Sequence, residues 1–285
     1  MHILNSRYYN LNKFGEANLN RYIQGTPFPH IVIERLFNSS LLSEVSEEFP
    51  DLSNGKPFKK KINYQVGKFY TGNETNFGFK TLRLFHYLNS QPWLDFLQTI
   101  SGIEEKLFGD PYYWGGGLHQ TKNGGWLKIH SDFKKHPDSN LDRRINVIIF
   151  LNKEWEKSFG GSLELWDKKM KKCVQSIPPI FNNTVIFNTT DYSNHGYPDP
   201  IHCPENISRK SIALYYYTNG RPENEINYKV RQKDDKTYWK PRKNNKLDNV
   251  DFNRKFSLYN LIVELIRKIT HQMIFRVLFR KHKRY

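Results

Sequence analysis

The rhythm of apolar and polar positions changes several times along this chain. Near the start, Ile31, Val32 and Ile33 form an apolar triplet that predicts a short strand. Ser39 or Ser40 would then cap a helix over Leu41 to Phe49, closed by Pro50. Residues 56–83 are polar, aromatic and glycine-studded (Gly67, Gly72, Gly78), with weak alternation from Ile62 to Val66. That pattern reads as a long hairpin or lid, offering Tyr64, Phe69, Tyr70 and Phe77 as apolar contacts for a substrate. From Pro92 to Phe108 the rhythm is helical: Trp93, Phe96, Leu97, Ile100, Ile103 and Leu107 share one face, so a core-facing helix is expected.

From Tyr112 to Thr218 short apolar runs alternate with Gly, Pro and Asn turns: Leu127 to Ile129, Ile145 to Leu151, Ser162 to Trp166, Thr184 to Phe187 and Ser211 to Tyr217. This beat predicts an antiparallel sandwich or jelly roll, in a chain that is mainly β with flanking helices, an α+β architecture. The expected division is a packing region at 1–110, a catalytic core at 111–220 and an extension at 221–285. Within the extension, Phe256 to Phe279 carries apolar residues at helical spacing, interrupted by Glu264, Arg267, Lys268, His271 and Arg276. A spanning helix is not expected there. A basic amphipathic helix suits peripheral contact with an anionic membrane, or packing on the core or a second subunit. The oligomeric state stays open.

Composition adds one fact to this picture: charge. Lys and Arg exceed Asp and Glu by 16, and residues 221–285 hold 18 of the former against 7 of the latter, so most of the excess sits in the extension. Such a balance attracts polyanions without choosing among them. Aromatic content of 15% belongs to a folded chain. Cys173 and Cys203, the only cysteines, cannot make a disulfide framework, and the N-terminus lacks the apolar run of a secretory signal. A reducing, cytoplasmic setting is the expectation.

The candidate chemistry starts at WLKIHSDF, Trp126 to Phe133. Residues two apart on a strand point to one face, so His130 and Asp132 can both turn inward. Alone, such a pair is more often a surface pair. His195 lies at the end of another predicted strand, and Arg209 and Ser211, again two apart, begin a third. Two imidazoles and a carboxylate are the ligand set of a 2-His-1-carboxylate iron(II) site with open positions. A guanidinium beside a hydroxyl is a seat for a carboxylate co-substrate. Other groups offer less: Gly115 to Gly117 lack the context of a phosphate loop, the cysteines lack zinc spacing, and His136 and His202 fall in polar loops where solvated roles are expected. His119 is expected to pack or to sit behind the ligands.

Read together, the segments GGWLKIHSDF, RRINVIIFLN, FGGSLELW, TVIFNTTDYSNHGYP and SRKSIALYYY, in that order, resemble the 2-oxoglutarate- and iron(II)-dependent oxygenases, in particular their prolyl-4-hydroxylase-like branch. FPHIVIERLF resembles that branch's entry strand. The resemblance implies a double-stranded β-helix of the jelly-roll or cupin kind. It implies iron on His130, Asp132 and His195, and the distal carboxylate of 2-oxoglutarate on Arg209, helped by Ser211. It further implies dioxygen-dependent hydroxylation of a C–H bond in a peptidyl or small-molecule substrate, with release of succinate and carbon dioxide, and ascorbate as reductant. Thr121 and Leu127 stand where many prolyl hydroxylases carry tyrosines, so Tyr113 or Asn146, or Thr121 itself, would contact the co-substrate. Asp132 leaves no vacancy for a halide, which argues against a halogenase. Tyr215, six residues after Arg209, stands where nucleic-acid demethylases carry a second arginine, so a nucleic-acid partner is not expected. The competing reading is a non-catalytic basic β-barrel holding nucleic acid or anionic lipid; the order of the site residues favours the enzyme.

Overall fold

In the computed structural model, residues 2–54, 64–225, 237–242, 245 and 248 are described. Residues 1–243 form one compact unit and 244–285 another. The amphipathic segment 256–279 and the lid segment 56–63 lie outside the described residues. Among the described residues no helix is long and apolar enough to cross a membrane.

Among the described residues ten strands build one sheet: β1 (His30–Glu34), β2 (Gln65–Thr71), β3 (Gly117–Ser131), β4 (Asp142–Phe150), β5 (Leu163–Trp166), β6 (Cys173–Ile177), β7 (Asn183–Asn188), β8 (Asn194–Tyr197), β9 (Arg209–Thr218) and β10 (Tyr238–Trp239). Their order is β1-β7-β4-β9-β3-β8-β5-β6, with β2 and β10 also on β3, and each of these pairings is antiparallel. The sheet curls into a half-barrel because β3 changes partners along its length. Its first part pairs with β9 through Gly117 to Thr121, and its last part pairs with β8 at Leu127 and His130. A strand shared in this way needs a break in its register, and β3 has one opposite Val66 and Lys68, between Thr121 and Trp126, where Gly124 takes φ 73°.

Strict alternation decides what faces where. On β9, Ile212, Leu214 and Tyr216 face a large apolar core, while Ser211, Ala213 and Tyr215 face a cavity. On β4, Ile145, Val147 and Ile149 join the same core, and Asn146 and Ile148 turn to the cavity. Four helices cover the core face: α1 (Leu11–Ile23), α2 (Ser39–Glu47), α3 (Phe79–Leu88) and α4 (Gln91–Ser101). A smaller apolar cluster, including Phe150, Leu165, Val185 and Phe187, fills the inside of the curl.

Several local expectations change. The cap of α2 is Asn38, whose side chain accepts from the Ser40 and Leu41 N–H groups, so Ser39 and Ser40 belong to the first turn. Helix α4 stops at Ser101, because Gly102 adopts φ 68°, a left-handed cap; Ile103 and Leu107 reach the core from the following loop. Residues 65–88 are a strand on β3 followed by α3, where a hairpin was expected. Phe77 packs on Phe85 and Tyr113 inside the helical core and makes no wall of the cavity.

One buried relay ties helices to sheet. Trp93 Nε1 donates to Tyr216 Oη (2.8 Å), which donates to the Leu88 carbonyl (2.9 Å). Tyr216→Phe would strand a buried donor and a buried acceptor, at a cost of about 1–3 kcal/mol. A urea titration should show the midpoint lowered with the slope unchanged.

Candidate active site

His130 and His195 come from different strands but occupy directly opposed positions of the β3–β8 ladder. Each ring is fixed the same way: Nδ1 donates to the carbonyl two residues earlier, Lys128 O (2.9 Å) and Ser193 O (2.8 Å). That leaves both Nε2 lone pairs free and pointing inward. Asp132 supplies the third group. His130 Nε2 lies 3.5 Å from its Oδ1 and His195 Nε2 lies 3.5 Å from its Oδ2. The three ligand atoms sit within 4.8 Å of one another, and all three residues are buried.

A buried carboxylate needs partners, and Asp132 has them. Asn146 Nδ2 donates to its Oδ2 (2.7 Å), and Asn146 Oδ1 in turn accepts from Arg143 Nε (2.9 Å) and Thr189 Oγ1 (3.3 Å). Arg143 Nη2 stands 3.0 Å from Oδ2 as a charge contact, and among the described residues both terminal nitrogens lack an aligned acceptor. Its guanidinium lies over the Tyr215 ring (3.3 Å to the centroid) and near that of Phe133 (4.4 Å). Burial alone would raise the Asp132 carboxyl, but Arg143, His195 and His130 hold it well below the usual carboxylate range. Burial lowers His195 to about 4, so its imidazole is neutral and able to bind a cation.

Arg209 is buried on the same cavity, a space of about 720 Å³, within the range of small-molecule sites of roughly 300–1,000 Å³. Its Nε donates to the Gly161 carbonyl (2.7 Å), and its guanidinium lies between the rings of Tyr197 (4.2 Å) and Phe150 (5.0 Å). Gly161 has φ 68°, and a Cβ there would meet Ile201 at 3.1 Å and Arg209 at 3.3 Å, so the turn admits only glycine comfortably. Arg209 makes no ion pair among the described residues, which leaves its outer nitrogens for an external carboxylate. Ser211 lines the cavity two residues on.

The remaining expected contacts divide. Thr121 is buried, and its hydroxyl shares a hydrogen bond with Tyr197 Oη (2.8 Å) beside Arg209. Asn146 is committed to Asp132 on one side and Arg143 on the other. Tyr113 edges the cavity, but its hydroxyl donates to Glu74 (3.3 Å). His136 corrects an expectation: it is buried, accepts from the Asp138 and Ser139 N–H groups, and packs edge-on to Tyr217. Sequence reasoning missed Arg143, Tyr197, Lys68 and Trp239. Trp239 arrives on β10, paired with His130, with ring centroids 5.0 Å apart, and stacks on Tyr64 (4.7 Å, 9°).

Comparison with known proteins agrees with this geometry. The model of the 2OG-Fe(II) oxygenase superfamily matches residues 116–217, the span that holds the three ligands and Arg209. The match takes in less than half of the chain, and it is over residues 116–217 that the chain resembles this superfamily. Prolyl 3-hydroxylase OGFOD1 of Xenopus laevis is 29% identical to the chain over 181 residues, 61% of this chain and 32% of that protein. Its Mus musculus counterpart is 33% identical over 86 residues, 29% and 15% of the two chains. The chain therefore spans less than a third of the length of these curated relatives. Two solved structures share the fold: a Trichoplax adhaerens prolyl hydroxylase in complex with a hypoxia inducible factor peptide fragment, and a Phytophthora capsici prolyl 4-hydroxylase. The first has TM-score 0.51 and 16% identity, covering 74% of this chain and 92% of that one. The second has TM-score 0.53 and 18% identity, covering 79% and 72%.

The three residues fit the metal named for the matching superfamily: a mixed nitrogen and oxygen set on one side leaves open positions, as iron(II) requires. Because Asn146 orients the carboxylate, Asn146→Ala should weaken divalent-metal affinity about 10–100-fold. Titration with cobalt(II), followed by its visible absorption, measures this.

Proposed function

We propose that the protein is an iron(II)- and 2-oxoglutarate-dependent dioxygenase that hydroxylates a C–H bond of a peptidyl or small-molecule substrate, releasing succinate and carbon dioxide. The observation that carries the reading is the convergence of the two free Nε2 atoms and the Asp132 carboxylate beside a buried Arg209 that makes no ion pair among the described residues. Prolyl hydroxylation, the activity named for the relatives, is the first chemistry to try. Ascorbate as the restoring reductant belongs to the same proposal.

In this reading His130, Asp132 and His195 hold the metal. Bound there, iron(II) with 2-oxoglutarate and dioxygen supplies the oxidising power for hydroxylation. Arg209 takes the distal carboxylate of 2-oxoglutarate, with Ser211 adding a hydroxyl donor. Tyr197 and Phe150 keep the guanidinium from swinging, and the Thr121–Tyr197 hydroxyl pair gives that end of the cavity its polar lining. Phe187, edge-on to His195 at 4.8 Å, closes water off from one ligand, and Trp239 covers the other.

Three substitutions test this. His130→Ala or Asp132→Ala should abolish iron-dependent conversion of 2-oxoglutarate to succinate. Arg209→Ala should mainly raise the 2-oxoglutarate concentration needed, since a lost charge-assisted contact of about 1.5–3 kcal/mol corresponds to roughly 10–150-fold. A 2-oxoglutarate dependence unchanged in Arg209→Ala would remove the anchor assignment.

A further inference from the structure

The charged side chains lining the cavity are unbalanced: Lys68, Arg143 and Arg209 face one carboxylate, Asp132. Arg143 is spent on Asp132, and in the dioxygenase reading Arg209 is spent on the co-substrate. Lys68 has no carboxylate partner among the described residues. Loading does not change this balance, because the two charges of iron(II) and those of 2-oxoglutarate cancel.

Position separates Lys68 from the co-substrate seat. In the β2–β3–β9 ladder Lys68 pairs with Thr121, which pairs with Arg209, so the two cations stand on one row with a strand between them. The Arg209 guanidinium turns to the fully buried Phe150, on the deep side. The Lys68 ammonium turns to the ring of Tyr70 (5.4 Å), which is 55% exposed, on the open side. Beside it, His119 keeps a buried Nε2 with no partner among the described residues, while its ring also bonds to the backbone of Gly115 and Gly116. That free lone pair suits an N–H or O–H donor next to an anion. Burial, followed by repulsion from Arg209, lowers Lys68 to about 8, so it still carries charge at neutral pH and gains by meeting an anion.

We propose that Lys68 binds a carboxylate of the substrate, making this site selective for acids over their neutral counterparts. The inference rests on the dioxygenase reading and names its substrate class. Tyr70, Tyr112, Trp114 and Phe133 give the same cavity aromatic walls, so the rest of the substrate meets flat apolar surface there.

The test uses full-length protein loaded with nickel(II) and 2-oxoglutarate, which fills the site without turnover. Phenylacetate and neutral phenylacetamide are titrated in by calorimetry, alongside acetyl-Asp-Pro-amide and acetyl-Asn-Pro-amide. The expected result is a preference of tenfold or more for the acid in at least one pair, lost in Lys68→Met and kept in Lys68→Arg, with 2-oxoglutarate affinity unaltered in both. Preference in the first pair assigns the seat to a free acid; preference in the second assigns it to an acidic peptide. Equal binding in both pairs overturns the proposal, as does a preference that survives Lys68→Met. Loss of 2-oxoglutarate binding in Lys68→Met also overturns it, by moving the lysine to the co-substrate. Failure of the wild-type protein to take up 2-oxoglutarate with nickel would sink the dioxygenase reading itself, at a separate and earlier measurement.

Discussion

A carboxylate with almost no contact with water is the constraint that shapes this site. Leaving Asp132 charged and unpaired at that depth would cost several kcal/mol. The structure surrounds it instead with an amide donor, a guanidinium and two imidazoles. Each of those partners is itself held: Asn146 by Arg143 and Thr189, Arg143 by two aromatic rings, the imidazoles by backbone carbonyls. The carboxylate is therefore fixed in direction as well as charge, which a metal site needs more than affinity.

Such a cluster requires side chains from four strands to meet, and β3 makes that meeting happen. Its first part aligns Thr121 with Lys68 on one side and Arg209 on the other. Beyond the register break, its last part sets His130 opposite His195. The Arg209 row and the imidazoles are thus two stations on one strand, and their separation is set by its path. A slip of one residue in either ladder would send half of these groups to the opposite face.

Alternation made the strands around this site readable: Ile145 to Leu151 and Ser211 to Tyr217 are apolar at every second position facing the helices. The pattern also put His130 with Asp132, and Arg209 with Ser211, on shared faces. What stayed hidden lacked such a pattern. Helix α1 buries only Leu11, Gly15 and Tyr22, while Phe14 and Leu19 are half-buried and Ile23 is exposed, so its apolar face is faint in the sequence. Arg143 and Arg144 are identical in sequence terms, yet a register shift between Arg143 and Ile145 turns Arg143 inward, while Arg144 pairs with Glu105 and Glu225. Trp239 belongs to a two-residue strand, too short for any periodicity to mark.

Two kinds of positive charge in this protein act over different ranges. Residues 221–285 hold 18 Lys and Arg against 7 Asp and Glu, a sequence-level excess that attracts anions generally and fades within about 10 Å at ordinary salt. Lys68 and Arg209 line a partly enclosed cavity, where the effective dielectric is low and screening is weak. In the acid-selective reading proposed above, a diffuse excess would raise the rate at which acids arrive, whereas a fixed ammonium beside aromatic walls would decide which acid stays. Salt should therefore slow capture by the first without erasing selection by the second, and the net charge of the whole chain says little about the substrate.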